Sequence, residues 1–175
     1  MQLFPNFFHL TKRFWFSLNP RKLSEENLDW VRSHLSENEF DYWEKFSTAD
    51  KQHSFQVAKQ ASSEIGEEGK EFVAAALLHD IGKLESGFTT FGRVFATLCC
   101  LLFPLRKMEK WVQKNKGIRR RLIDYAKHPE LGAKLLRRIG SKEQTITWVL
   151  EHHSESEKWE TPREIAEILS SSDND

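Results

Sequence analysis

The sequence predicts an all-α domain. Apolar residues recur at the i, i+3, i+4 spacing of a helix face in Leu122-Ile123-Tyr125-Ala126, Leu131-Leu135-Leu136-Ile139 and Ile146-Val149-Leu150, and no stretch alternates with period two for long. Helix punctuation falls between the periodic segments, at Gly66 and Gly69, at Gly140-Ser141 and at Thr161-Pro162. At 175 residues the chain is long enough to bury one continuous core without disulfides or a structural zinc.

In chain order, residues 1–49 read as an aromatic-rich helical extension packed on the core, opening with Phe4, Phe7, Phe8, Phe14, Trp15 and Phe16. They lack a basic segment followed by an uninterrupted apolar stretch and a small-residue cleavage site, so they do not read as a signal peptide. Residues 50–175 form the main domain. Its first segment contains His53 and Val57-Ala58 and closes at Gly66 and Gly69. The next, Ala74-Ala75-Ala76-Leu77-Leu78, is an apolar helix-like run that stops at His79-Asp80-Ile81-Gly82-Lys83. Val94 to Leu105 is a twelve-residue apolar run, too short to span a bilayer as a helix and expected to pack as a core helix. Arg93 and Arg106-Lys107 flank it, so a homodimer interface or peripheral membrane contact is the less favoured alternative. A segment from His128 ends at Gly140, and another from Ile146 runs to His152-His153. Thr161 as N-cap, Pro162 at the first helical position and Glu164 in the first turn begin a last helix toward Asp173.

Lys plus Arg and Asp plus Glu number 26 each, but the balance hides an asymmetry. Between Arg106 and Arg121 stand eight basic residues against Glu109 alone, whereas eight acids against Lys158 and Arg163 follow from Glu151. A basic stretch beside a reactive site would concentrate anionic, phosphate-bearing ligands; its bland alternative is a solvated helix face. The two cysteines, Cys99 and Cys100, are sequence neighbours that rarely make an unstrained disulfide, which points to buried thiols in a reducing compartment, the cytoplasm by default.

Chemistry concentrates in one ordered constellation. Five of the seven histidines fall in the series His53, His79-Asp80, His128, His152-His153, and Asp173 follows. Imidazoles with carboxylates suit a divalent transition metal such as manganese, iron, zinc or nickel, where an all-oxygen set would suit magnesium or calcium. Any one histidine would more often be a satisfied, partly buried residue; their joint occurrence is what speaks for ligands. His9 and His34 stand apart and read as ordinary residues.

The run His79-Asp80-Ile81-Gly82-Lys83, with His53 upstream and His128-Pro129-Glu130 and Glu151-His152-His153 downstream, resembles the HDIG signature of the HD-domain superfamily of metal-dependent phosphohydrolases, over residues 50 to 175. The resemblance implies an HD-domain helical bundle and carries His53, His79, Asp80 and Asp173 onto a first metal, Asp80 bridging to a second held by His128 and His152. Asp175 competes with Asp173 for the last position. His153 is implied as a further ligand or a substrate contact. Side chains adjacent on a helix diverge by about 100°, so both histidines need not reach one site. Lys83 is implied as a phosphate contact, the alternative being a lysine that neutralises a helix end.

The activity implied is hydrolysis of a nucleotide or another small phosphate ester or anhydride by a metal-activated water, with Asp80, Lys83 and His153 as the catalytic group. Two alternatives share the residues: a di-iron oxygenase of the HD type, and a non-catalytic metal- or nucleotide-binding module. Ser154-Glu155-Ser156-Glu157 after the paired histidines lacks the continuation of HD-GYP cyclic-di-GMP phosphodiesterases, so that substrate is not supported. Nothing in the sequence points to specific nucleic-acid binding.

Overall fold

The structure, a computed structural model, describes residues 21–88, Gly92, Ala96 and residues 117–174. The N-terminal aromatic cluster, His9, the apolar run apart from Ala96, both cysteines, the basic residues at 106–116 and Asp175 lie outside the described residues. The described chain is helical throughout and carries no strand, as the periodicity predicts. Helices α1 (Glu25–His34), α2 (Glu37–Trp43) and α3 (Thr48–Glu64) lead through a 3-10 segment (Glu67–Phe72) into α4 (Val73–Leu78) and a second 3-10 segment (Ile81–Ser86). After these come α5 (Ile118–Ala126), α6 (His128–Ile139), α7 (Glu143–Glu151), a short 3-10 turn (Ser156–Lys158) and α8 (Arg163–Asn174).

Serines start the first three helices. The hydroxyls of Ser24, Ser36 and Ser47 accept the backbone N–H three residues on, and Glu39 returns the bond to the Ser36 N–H to complete a capping box. Each such cap stabilises its helix by about 1 kcal/mol.

The short helix α4 is the axis of the domain. Val73, Ala75, Ala76, Leu77 and Leu78 are all buried, and α3, α7 and α1 pack around them. A six-residue helix could not hold itself in water, so tertiary burial stabilises it. Burying Leu77 and Leu78 contributes about 1.5–3 kcal/mol each. The alanines let the surrounding backbones come close. Val31, Phe40 and Trp43 from the first two helices, with Phe46 from the turn after them, join this same core, and the Trp43 Nε1–H donates to Ser54 Oγ at 3.0 Å, fastening α2 to α3.

Two close approaches aim the functional segments. Gly82 faces the start of α6, where a Cβ would run into the His128 carbonyl, and Gly132 abuts the Gly82 nitrogen and Val149. Helix α8 lies on α3 through Ala166 and Leu169, which carries Asp173 toward His53. Gly140, at φ 81°, closes α6 in the left-handed conformation, the break expected there.

The start of α8 corrects one expectation. Its first helical residue is Arg163, and the buried Thr161 Oγ1 makes no hydrogen bond among the described residues, so Thr161 does not cap the helix and Pro162 stands just outside it. The buried carboxylate of Glu151 does the anchoring instead: it accepts the backbone N–H groups of Glu160 at 2.7 Å and Thr161 at 2.8 Å.

Candidate metal centre

Five segments deliver the constellation to one place. His53 lies on α3, His79 and Asp80 follow the last turn of α4, His128 opens α6, His152 and His153 follow the end of α7, and Asp173 is in the last turn of α8. The rings form a continuous series, with centroids 5.3 Å apart for His53–His79, 5.5 Å for His79–His152, 5.3 Å for His152–His128 and 5.1 Å for His128–His153. His79, Asp80, His128 and His152 are buried, His53 and Asp173 are half-buried, and His153 reaches solvent at the edge.

One device orients three of the rings. His79 Nδ1 is 2.8 Å from the Ala76 carbonyl, His128 Nδ1 2.9 Å from that of Tyr125, and His152 Nδ1 2.9 Å from that of Val149. A carbonyl only accepts, so each Nδ1 carries the proton and donates it. These carbonyls belong to the last turns of α4, α5 and α7, past the last i to i+4 bonds, so the histidines help satisfy the helix ends. In the neutral ring the tautomer leaves a lone pair on Nε2, the form a metal ligand requires.

Asp80 joins two halves. Its Oδ2 lies 3.4 Å from His79 Nε2, and its Oδ1 lies 3.4 Å from His128 Nε2 and 3.9 Å from His152 Nε2. On the first side Asp173 Oδ1 sits 3.0 Å from His53 Nε2 and 3.5 Å from His79 Nε2. His53, His79 and Asp80 make one group with ligand atoms mutually within 4.8 Å, and His128, His152 and His153 make another.

The electrostatics ask for a cation. Burial works against charge on Asp80, but the Lys83 ammonium first and the His79 ring next outweigh it and hold its carboxyl well below the usual range. Burial also opposes charge on His79, yet the Asp80 and Asp173 carboxylates outweigh it and raise that ring's pKa. In the other half, burial first and the neighbouring imidazoles next push His152 well below the ordinary histidine value. His153 drops to about 4, through lost hydration and then His128.

Two observations show that the residues fit a metal. His79 Nε2 is buried with no hydrogen-bond partner among the described residues, between two carboxylate oxygens. His128 Nε2 and His152 Nε2 face each other at 3.4 Å although both rings already use Nδ1 as donor, so two neutral rings would oppose their lone pairs. A shared cation resolves that conflict.

The comparison with known families matches residues 51–173 to the HD domain. The chain belongs to the HD-domain family. No curated protein and no solved structure matches it. HD domains are helical, metal-dependent and generally hydrolytic, and the all-α fold and the clustered histidines of this chain accord with that.

The HD structure thus brings His53, His79, Asp80, His128, His152 and Asp173 together, with Lys83 and His153 beside them. Helical divergence does not separate the paired histidines, because α7 stops at Glu151: His152 caps it, His153 lies in the turn beyond, and their rings are 4.0 Å apart. The sequence reading missed Gly82 and Gly132 as the contact that seats His128, and Glu151 as the clamp behind the paired histidines. Gly82 stood in the motif itself; Glu151 left no signal separable from a surface acid.

Proposed function

We propose that this HD domain is a phosphohydrolase acting on a small phosphorylated substrate, a nucleotide foremost, with His53, His79, Asp80 and Asp173 holding one divalent metal and Asp80, His128 and His152 a second. The observation that supports this reading is the Asp80 carboxylate, whose two oxygens face two separate imidazole sets. Divalent metals held there supply Lewis acidity toward phosphoryl oxygens and an activated water near neutral pH.

The chain's own residues supply the rest. The carbonyl-bound Nδ1 atoms keep Nε2 of His79, His128 and His152 aimed inward. Neutral at physiological pH, His153 stands at the exposed edge as a hydrogen-bonding ring for substrate. Lys83 places an ammonium beside Asp80 as a contact for a phosphate group.

Metal content should be measured on protein purified without added metal or chelator, followed by a panel of nucleotides and phosphate esters. Transition metal with phosphate or nucleoside release is expected, and Asp80→Ala should lose metal and turnover together while keeping its helical circular dichroism. Full activity in that variant would reject the assignment. Paired irons with oxygen-dependent turnover and no hydrolysis would replace it with an oxygenase.

A further inference from the structure

Asp80 already carries a cation of the protein's own. Lys83, three residues on along the 3-10 segment, turns back so that Nζ lies 2.5 Å from Asp80 Oδ2, and the two side chains are only 13% and 6% exposed. That same oxygen is the one 3.4 Å from His79 Nε2, the imidazole nitrogen without a hydrogen bond. An ammonium and an imidazole nitrogen therefore converge on a single buried carboxylate oxygen.

We propose that Lys83 competes with metal for Asp80: its ammonium acts as an internal counter-ion that withdraws as a divalent cation is taken up between Asp80 and His79, so Lys83 sets the metal affinity of the centre. The inference rests on the metal-centre reading above and goes beyond it by giving Lys83 a role before any substrate arrives. Two positive groups at one oxygen repel strongly where little water screens them. A lysine can yield, since its charge sits at the end of a flexible four-carbon stem. Leaving Asp80 would not strand it: Nζ already lies 5.8 Å from the centre of the Tyr125 ring, whose face attracts an ammonium and which borders His128. Loading the metal would thus free a cation at the site when a phosphate is about to enter.

Competition lowers apparent affinity by the fraction of molecules in the binding-competent arrangement, so removing the competitor should tighten binding. Mn²⁺ is titrated calorimetrically into chelator-treated wild type and Lys83→Met, and wild-type Lys83 is acylated with and without Zn²⁺, its labelling followed by peptide mass spectrometry. Binding about ten-fold tighter in Lys83→Met, which corresponds to a paired arrangement populated about 90% of the time, is expected together with faster labelling of Lys83 in the Zn²⁺-loaded protein. Equal or weaker binding in the variant, or labelling indifferent to Zn²⁺, overturns the inference while leaving the metal centre in place. Should the variant fail to fold, the wild-type labelling decides alone. No uptake of either metal by wild type overturns the metal-centre reading and this inference with it.

Discussion

A histidine is aimed here through its other nitrogen. Ala76, Tyr125 and Val149 offer nothing but carbonyls, and those carbonyls fix which edge of His79, His128 and His152 faces inward. The clustered histidines were legible because their side-chain chemistry is written in the motif; the orienting carbonyls were not, because any residue supplies one and only a helix end leaves it without its helical bond. The same burial sets a pH dependence. In chelator-treated protein His152 and His153 resist protonation when folded and accept it near pH 6.5 when unfolded, so stability falls as pH drops from about 6.5 toward 4. His79 has the opposite sign: its raised pKa contributes stability below 6.5 that is lost as pH rises through the folded value. With two depressed groups against one raised, the urea midpoint should fall between about pH 7 and pH 5, and fall less in His152→Gln. A midpoint that climbs on acidification would contradict this.

At the level of elements, the decisive contacts are between backbones. Gly82 lets the 3-10 segment after Asp80 lie against the first turn of α6, and that approach brings Asp80 Oδ1 within 3.4 Å of His128 Nε2. A methyl group there meets main-chain atoms, which cannot rotate away. Gly82→Ala should therefore destabilise by about 3 kcal/mol or more, at or above the usual range for overpacking, and should weaken metal uptake beyond what stability explains. Chemical denaturation with metal titration of the folded fraction checks both, and a variant of unchanged stability would refute the contact. Helix positions were readable because the 3.6-residue period and the glycine stops agree. The start of α8 was misread for a physical reason: Thr161 carries a cap residue's side chain, but the Glu151 carboxylate takes the nearby N–H groups, and no local signature reveals a partner ten residues away. Conversely, the Ser36–Glu39 capping box closes within four residues, and the sequence reading passed over it.

For the whole molecule, the centre joins α3, the end of α4, α6, the end of α7 and α8. A cation held by ligands from so many segments binds only the folded chain. Mn²⁺ at a hundred-fold excess over its dissociation constant should stabilise the fold by about 2.7 kcal/mol. For a chain of this length that raises Tm by roughly 5–10 °C. Thermal melts with and without Mn²⁺ test it, and Asp80→Ala should show little or no rise. The core explains why the site survives such convergence: α4 is clad in α1, α3 and α7, so the turn bearing His79 and Asp80 hangs from a helix with five of its six residues buried.

The contact between His53 and Asp173 also has a meaning in time. The two residues are 120 positions apart, and a ribosome adding about 5–20 residues each second takes roughly 6–24 s to make the second after the first. During that interval the nascent chain displays its imidazoles one after another without the carboxylate that completes their first half. Until Asp173 has been made and α8 has packed on α3, the first half of the cluster is therefore incomplete.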